Sequence, residues 1–328
     1  MTKKTLSVIM PNYNYGHFIG QMLESIFAQS YPATEVVVID DASTDDSVSI
    51  IKGFMKKYPN LRLIQNERNI GPIAIGKRIF EAVSGDYVFP CASDDWILPG
   101  FFEKSMKLLA QYSQAGLCCT DCAVYDGKQY INNKKYLSNE AAYLPPIEVY
   151  KRFRREHITP FSIHTTILNR KMLLKVGGYR EELEWAADLF AYSVLGFRHG
   201  ICYVPEILTV IRRHESQYGV TMAKKTNLER RVIEKVINAA REPAYKDVLP
   251  MFQKTAAFSV HPWEVLYVVI NNPQYWDFLS GKLLYFGLFD KFIKRLLLKV
   301  LPEMFFRKIL RIVRKFKLLA NGNNLRND

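Results

Sequence analysis

Two pairs of neighbouring aspartates stand where a metal ion or a nucleotide could bind. The pairs are Asp40-Asp41 and Asp94-Asp95, and each comes shortly after an apolar run. Adjacent carboxylates repel each other unless a cation or hydrogen-bond donors compensate for their charge. Carboxylate oxygens suit Mg²⁺ or Mn²⁺, and such an ion would bridge to the diphosphate of a nucleotide. For the first pair alone, the alternative is that both aspartates cap the helix that follows.

The surrounding sequence predicts the sheet that would position these aspartates. Short apolar runs that end in turn residues predict strands over residues 6–10, 35–39, 61–65 and 86–89. Helices are predicted over residues 18–30, 46–57 and 73–83. This alternation favours an α/β fold, Rossmann-like, with a mostly parallel sheet and helices on both faces. Ligands of such sheets bind at the carboxyl ends of the strands, which is where both aspartate pairs lie.

The phosphate-binding loops of two common nucleotide folds are missing. Residues 12–16 read Asn-Tyr-Asn-Tyr-Gly after the first strand, where a dinucleotide fold needs Gly-x-Gly-x-x-Gly. The sequence also contains no glycine-rich loop of the Walker type with its lysine. A nucleotide bound at this sheet is therefore expected to be held through a divalent metal at Asp94 or Asp95.

Three motifs in the expected order resemble those of family 2 glycosyltransferases of the GT-A fold, of the type that builds bacterial surface polysaccharides. They lie at residues 8–14, 38–45 and 84–96, and the second, Val-Ile-Asp-Asp-Ala-Ser-Thr-Asp, is the most specific. The resemblance covers about residues 5–215. It implies the GT-A fold and a nucleotide-diphosphate sugar as donor, with a UDP-sugar expected.

The resemblance implies a donor site at the ends of the first strands. Pro11 and Tyr13 would line the pocket for the nucleotide base. Asp41, with Asp40 as the second choice, would accept a hydrogen bond from a ring N–H of the base. Arg68 lies in a segment that resembles the family's loop before the third helix, and it would contact the diphosphate.

The metal motif departs from the family pattern. The usual Asp-x-Asp begins here with Ala92, so one carboxylate is lost. The resemblance implies that Ser93 and Asp94 bind the nucleotide sugar and that Asp94 and Asp95 hold Mg²⁺ or Mn²⁺, with weaker or more water-rich coordination. His214 would complete the metal site or contact phosphate, and the alternative is a surface histidine.

Asp188 matches the family's general base. It follows the Gly-Gly pair at residues 177–178 and opens an apolar helix, although Ala187 replaces the glutamate that usually precedes the base. The alternative is an aspartate that only caps the helix. The implied reaction moves a hexosyl or N-acetylhexosaminyl group, with inversion, to a hydroxyl that loses its proton to the base. His164 and Trp185 would touch sugar rings or belong to the core.

The positive charge of the chain is concentrated near its end. The net charge is +13, and residues 282–319 contain eleven Lys or Arg and only two acids, interleaved with apolar residues at helical spacing. This pattern predicts two basic amphipathic helices, separated at Pro302, on an anionic membrane surface. The alternative is that they pack on the body and expose a charged face. No nucleic-acid-binding signature is present, so no nucleic-acid partner is expected.

We expect three regions: residues 1–125 bind the nucleotide sugar, residues 126–220 bind a glycan or lipid-linked glycan acceptor, and residues 221–328 are helical. Five cysteines, an odd number, argue against a secreted disulfide framework, and Cys119 and Cys122 are expected to be core residues. The apolar run near Met1 is too short for a signal peptide. The expected location is the cytoplasm, at the inner face of the cell membrane.

Two other functions fit parts of the pattern. A metal-dependent nucleotidyltransferase uses a similar sheet and similar acids, but it should carry a glycine- and lysine-rich phosphate loop near its start. A non-catalytic GT-A-like binding module is the second alternative, and the alanines at positions 92 and 187 favour it.

Overall fold

The computed structural model describes residues 4–135, 137–155, 163–214, 226–255 and 262–288. The chain divides into two compact units, Met1–Val260 and His261–Asp328. The strands are β1 (Leu6–Asn12), β2 (Glu35–Asp40), β3 (Leu61–Gln65), β4 (Tyr87–Pro90), β5 (Trp96–Ile97), β6 (Leu117–Tyr125), β7 (Tyr130–Asn133), β8 (Ala142–Leu144), β9 (Thr166–Asn169) and β10 (Ile201–Arg212).

The helices of the first unit are α1 (Gly16–Phe27), α2 (Ser47–Met55), α3 (Pro72–Arg78), α4 (Phe101–Gln111), α5 (Pro146–Arg155), α6 (Arg170–Lys175), α7 (Ala187–His199), α8 (Thr226–Ala240) and α9 (Leu249–Thr255). Short 3₁₀ helices occupy Ile163–Thr165, Glu181–Ala186 and Pro243–Tyr245. The second unit contains α10 (Pro262–Asn271), a 3₁₀ segment (Pro273–Phe278) and α11 (Gly281–Leu288).

All ten described strands form one sheet. The strand order is β3-β2-β1-β4-β9-β6-β10-β5, with β7 paired to β6 and β8 paired to β10. Strands β3, β2, β1 and β4 are parallel, and so are β6 and β10. The expected α/β class, with helices around a central sheet, is confirmed. The carboxyl ends of β1, β2 and β4 therefore meet at one edge.

The core lies between the sheet and its covering helices. On β1 and β2, neighbouring side chains point to opposite faces of the sheet, and Val8, Ile9, Val37 and Val38 are all buried. A strand covered on both faces reads as a continuous apolar run rather than an alternating one. This is why the sequence located these strands to within two residues at each end.

Helix α3 ends at Arg78, five residues before the predicted end at residue 83. Main-chain carbonyl oxygens after Arg78 accept hydrogen bonds from the side chains of two distant arginines, one at the start of α6 and one on β3. Arg170 Nε donates to the carbonyl of Phe80 over 3.0 Å, and Arg62 donates to the carbonyl of Ala82 over 2.7 Å. The helical pattern of the sequence does not reveal these hydrogen bonds, because their donors are far away in sequence.

The five cysteines are all free and buried. Cys118 on β6 lies opposite Cys202 on β10, and burial raises the pKa of both thiols, that of Cys118 to about 12. Burial likewise raises the pKa of Cys122 to about 11 and that of Cys119 well above its usual value. The Cys-x-x-Cys pair is part of the core, as expected.

In the second unit, α10 and α11 pack closely. Gly287 lies so near Leu266 that a Cβ at this position would approach that side chain to 2.6 Å. Among the residues described, no helix is long and apolar enough to cross a membrane. The predicted basic amphipathic segment is described only up to Leu288, and its remainder lies outside the described residues.

Candidate active site

Asp40, at the end of β2, joins the loops that follow β1 and β2. One oxygen of its buried carboxylate accepts hydrogen bonds from Asn12 Nδ2 (2.9 Å) and Ser43 Oγ (2.6 Å). The other oxygen accepts the main-chain N–H of Ser43 over 2.9 Å. Asp40 is therefore surrounded by protein donors.

Asp41 holds the segment between β3 and α3. Its buried carboxylate accepts hydrogen bonds from Asn66 Nδ2 (2.7 Å) and from the main-chain N–H groups of Ile70 (3.0 Å) and Gly71 (2.8 Å). Gly71 has a φ of 84°, a left-handed conformation that suits glycine, directly before Pro72 starts α3. The charge of Asp41 is thus compensated by the loop that it orders.

The other expected donor residues lie around the same sheet edge. Pro11 is half-buried near the end of β1, and the ring of Tyr13 is exposed just beyond it. Arg68 is exposed on the segment that Asp41 holds. These three residues line accessible surface at the edge where Asn12 on β1 lies opposite Asp40 on β2.

The second aspartate pair lies in the turn between β4 and β5, and both side chains are buried. Asp94 Oδ2 lies 2.9 Å from His214 Nε2. Asp95 Oδ1 accepts the main-chain N–H of Arg212 over 2.8 Å, and Asp95 Oδ2 forms an ion pair with His164 Nδ1. The turn therefore directs its two carboxylates to different histidines.

His164 connects the aspartate pair with the expected base. Burial acts to lower the pKa of His164, but the negative charges of Asp95, Asp94 and Asp188 outweigh it and raise the pKa to about 9. The imidazole therefore carries a positive charge at neutral pH. Asp94 and Asp95, from one turn, and Asp188, from a distant part of the sequence, all act electrostatically on this one side chain.

Asp188 lies in the first turn of α7, and its carboxylate accepts the N–H of Leu189 over 2.6 Å. Burial raises the pKa of Asp188, although the Leu189 N–H and the charge of His164 act to lower it. The hydroxyls of Tyr179 and Tyr192 contact each other nearby, and the charge of Asp188 contributes to raising the pKa of both. A carboxylate with a raised pKa is better matched to accepting a proton near neutral pH.

Trp185 is half-buried at the end of the 3₁₀ helix before Asp188. The residue before it, Glu184, has a φ of 51°, and its carboxylate forms an ion pair with Lys235 over 2.6 Å. Asn14 and Ala42 are the other non-glycine residues with positive φ among those described. All three occur in segments next to the candidate site, where such backbone strain is often found.

Several residues of this site were not assigned from the sequence. Arg212 contacts both members of the Asp94-Asp95 pair, and the rings of Tyr15 and Phe18 lie 5.6 Å and 5.1 Å from that of His214. Burial, followed by the charges of Asp94 and Asp95, raises the pKa of Tyr15 to about 12. The available signal was the position of Arg212 at the end of an apolar run, two residues before His214.

The side chains around the Asp94-Asp95 turn determine whether a metal ion could bind there. No group of three or more His, Cys, Asp or Glu side chains converges as a metal-ligand set within the described part of the chain. Asp94 and His214 are adjacent, and a carboxylate with an imidazole suits Mn²⁺ when other ligands complete the shell. Both oxygens of Asp95 already face protein groups. The pair Asp94 and His214 fits a metal, and Asp95 is less accessible to one.

Comparison with known families gives one clear match. The family model described as "Glycosyl transferase family 2" matches residues 7–178, more than half of the chain. These residues include both aspartate pairs and end ten residues before Asp188.

Curated relatives match over shorter stretches. The chain is 37% identical over 103 residues to an uncharacterized glycosyltransferase, YibD, of Escherichia coli K12, which is 31% of this chain and 30% of that protein. It is 36% identical over 107 residues to the glycosyltransferase GlyA of Streptococcus pneumoniae, which is 33% of this chain and 15% of that protein. The chain therefore spans less than half the length of each of these relatives.

Solved structures share the fold over most of the chain. TarS residues 1–349 from S. aureus in complex with UDP-GlcNAc match with a TM-score of 0.61 and 19% identity, over 85% of this chain and 82% of that one. A mannosyltransferase from Pyrobaculum calidifontis in complex with GDP-Man and Mn²⁺ matches with a TM-score of 0.55 and 19% identity, over 87% and 79%. At this level of identity, the likeness supports the GT-A-like fold.

Proposed function

The chain belongs to glycosyl transferase family 2, and from this premise we propose that it transfers a sugar from a nucleotide-diphosphate sugar to a hydroxyl group, with inversion at the anomeric carbon. The observation that carries the proposal is the position of His164. Its imidazole forms an ion pair with Asp95 on the donor side, and the charges of Asp94 and of Asp188, the candidate base, also act on it. A glycosyl transfer needs both kinds of carboxylate around one cleft.

Asp188 is proposed to accept the proton of the attacking hydroxyl. A hydroxyl attacks better while it loses its proton, so the base must lie on the acceptor side of the sugar. Burial raises the pKa of Asp188, which strengthens it as a base. The nearby positive charge of His164 acts against that rise.

The donor is proposed to be a UDP-sugar that lies across the ends of β1, β2 and β4. Pro11 and Tyr13 would contact the base, and Arg68 would reach the diphosphate. Asp41 would act partly through the loop that it orders, because its carboxylate already accepts three N–H groups there. A further N–H from the base can still be accepted by a free lone pair of an ionised carboxylate.

Asp94 and His214 are proposed to hold Mg²⁺ or Mn²⁺. When bound, such an ion stabilises the negative charge that develops on the departing nucleotide diphosphate. Asp94 would supply one oxygen and His214 one nitrogen, while Asp95 holds the turn and the imidazole of His164. The mannosyltransferase from Pyrobaculum calidifontis, which shares the fold and was solved in complex with GDP-Man and Mn²⁺, supports this assignment.

The acceptor is proposed to be a glycan or a lipid-linked glycan, presented at an anionic membrane surface. The second unit exposes apolar side chains: Ile270, Trp276, Leu279, Leu284 and Leu288. The chain then continues with the basic, apolar stretch between residues 289 and 319. Apolar side chains and basic residues together are what binds a peripheral protein to anionic lipid. His164 and Trp185 would face the sugars.

The proposal is tested by hydrolysis of nucleotide sugars in the presence of Mn²⁺. Wild-type protein should release UDP from at least one UDP-sugar, and Asp188→Asn should lower kcat by about 10²- to 10⁴-fold, the usual contribution of a general base. Asp126→Asn removes a carboxylate from the exposed turn before β7 and serves as the matched control.

Other outcomes would point to other functions. Release of pyrophosphate from a nucleoside triphosphate would indicate a nucleotidyltransferase. Metal-dependent binding of UDP without turnover of any donor would indicate a binding module. Equal kcat values for Asp188→Asn and wild type would remove Asp188 from the role of base.

A further inference from the structure

We propose that Arg212 is a positioning residue for the Asp94-Asp95 turn and acts by holding the main chain of Asp94 and the carboxylate of Asp95 rather than by binding the donor phosphates. The inference deepens the proposed function and rests on it for the identity of the turn as the metal site. By resemblance, the segment from Arg212 to His214 is expected to lie near the diphosphate, without a separate role for Arg212.

Arg212 makes one hydrogen bond to each aspartate of the pair. Its main-chain N–H donates to Asp95 Oδ1 over 2.8 Å, and its side-chain Nε donates to the carbonyl of Asp94 over 2.9 Å. The main chain of β10 is itself fixed against β5, with Val210 opposite Trp96. The turn between β4 and β5 is therefore tied to the sheet through the last residue of β10.

The guanidinium group of Arg212 is held between two aromatic rings. Its central carbon lies 4.6 Å from the ring centre of Phe18 on α1 and 4.7 Å from that of Trp96. Its Nη2 donates to Oε1 of Gln21, also on α1. The planar group is thus fixed in orientation by stacking and by hydrogen bonds, which a flexible lysine ammonium cannot reproduce.

The guanidinium of Arg212 lies against a turn that buries two carboxylates side by side. Asp94 and Asp95 are 5% and 4% exposed. Neighbouring buried carboxylates destabilise each other unless hydrogen bonds and opposite charges compensate. Without the guanidinium, the turn is expected to relax, and Asp94 would lose its alignment with His214.

The same contacts argue against a direct role in phosphate binding. Two of the nitrogens that would grip a phosphate, Nε and Nη2, already donate to oxygens of Asp94 and Gln21. The Phe18 and Trp96 rings lie against the group. Binding a diphosphate through this fork would require breaking bonds that hold the turn.

The first experiment compares Arg212→Met with Arg213→Met in the full-length chain. Methionine keeps apolar contact with the two rings and leaves the main-chain N–H that binds Asp95, but it removes the charge and the side-chain donors to Asp94 and Gln21. Arg213, which is exposed and adjacent, provides the matched loss of charge. Hydrogen exchange of the peptide spanning residues 93–97 should be faster in Arg212→Met and unchanged in Arg213→Met. Equal exchange in both variants would overturn the proposal.

The second experiment measures Mn²⁺ binding without nucleotide, by the loss of the free-ion electron paramagnetic resonance signal. Arg212→Met should weaken Mn²⁺ binding by about 10- to 100-fold, as changes behind a metal ligand commonly do. Arg212→Lys should restore only part of this loss, and Arg213→Met should bind like wild type. Unchanged Mn²⁺ affinity in Arg212→Met, or no Mn²⁺ binding by wild type, would overturn the assignment.

The third experiment separates positioning from phosphate contact. Binding of UDP in the presence of EDTA should be the same for wild type and Arg212→Met. A loss of metal-free UDP affinity would mean that Arg212 contacts the diphosphate, and the proposal would fail. If exchange and Mn²⁺ binding behave as expected but no donor is hydrolysed by wild type, the proposed function fails while the assignment of Arg212 stands.

Discussion

Neighbouring aspartates in this protein have different partners. Asp40 is surrounded by donors from the loops after β1 and β2, whereas Asp41 holds the segment before α3. Asp94 lies against His214, whereas Asp95 lies against Arg212 and His164. In each pair, the two neighbouring carboxylates therefore bind different parts of the site, although all four are buried.

A glutamate away from the site shows how a carboxylate can also couple stability to pH. Glu35, at the start of β2, accepts hydrogen bonds from Ser7 Oγ (2.7 Å), from the N–H (2.6 Å) and hydroxyl (2.8 Å) of Ser84, and from Arg62 (3.0 Å). Burial acts to raise the pKa of Glu35, but the hydrogen bonds outweigh it and lower the pKa to about 2.

The free energy of unfolding should therefore depend on pH through Glu35. Because the folded pKa is below the unfolded value, the stabilisation is complete above about pH 4.5 and is lost as the pH falls towards 2. After allowance for solvent screening, it amounts to about 2 kcal/mol. Urea unfolding at pH 7, 4.5 and 3 should show a shallower pH dependence for Glu35→Gln than for wild type.

The exposed residue Glu67 provides the control for this measurement. Glu67→Gln should follow the wild-type pH dependence between pH 7 and 3. If Glu35→Gln followed it as well, the hydrogen bonds to Glu35 would contribute nothing measurable to stability.

Among the elements, the segment between β3 and α3 depends on its backbone conformation. Gly71 has a φ of 84° and donates its N–H to Asp41, and a Cβ added to it would meet no atom within 4 Å. Gly53, in α2, likewise has open space around a Cβ, but it lies in a helix. The two glycines differ in backbone conformation and not in crowding.

Alanine substitution should consequently have opposite effects at the two positions. Gly71→Ala should lower the free energy of unfolding by about 1–2 kcal/mol, because an alanine is strained at positive φ. Gly53→Ala should raise it by about 0.5–1 kcal/mol, because alanine favours the helix. Urea unfolding measures both, and a decrease of similar size for the two variants would contradict the conformational explanation.

The first strands and helices could be predicted because each is encoded locally. Short apolar runs and the turn residues behind them located β1 to β4, and the motifs after those strands indicated the donor edge. The antiparallel strands between β4 and β10 were not predicted, because β9 pairs with β4 and β6 across long sequence separations.

The site shows the same division between local and distant information. Asp94, Asp188 and His214 stand out as residue types at recognisable positions. The contacts around them do not stand out, because these contacts join residues that are far apart in sequence and some involve main-chain atoms. The N–H of Arg212 that binds Asp95 has no signature in the sequence, and neither does the approach of His164 to three aspartates.

For the whole molecule, the uneven distribution of charge predicts the binding of membranes. Replacing Lys291, Lys294, Arg295 and Lys299 by Gln should weaken binding to anionic vesicles by up to about 10³-fold, since each of the four basic residues contributes about 1 kcal/mol near such a surface. Co-sedimentation with anionic and zwitterionic vesicles measures the effect. Added salt should weaken the wild-type interaction, because these charges are screened.

A control variant that loses the same net charge elsewhere shows whether the position of the basic residues or only the total charge of the protein matters. Lys52, Lys56, Lys57 and Lys107 are exposed on α2, just after it and on α4, and they can be replaced by Gln together. This variant should bind vesicles like wild type. Equal weakening by both sets of substitutions would show that only the overall charge matters.

The burial of all five thiols has a practical consequence for following this protein in solution. Thiol-directed reagents attack the ionised, accessible form, and every native cysteine here is inaccessible, with a raised pKa. A single cysteine introduced at an exposed site such as Tyr130 would therefore be labelled selectively by a maleimide fluorophore. The five native cysteines would not need to be replaced before such labelling.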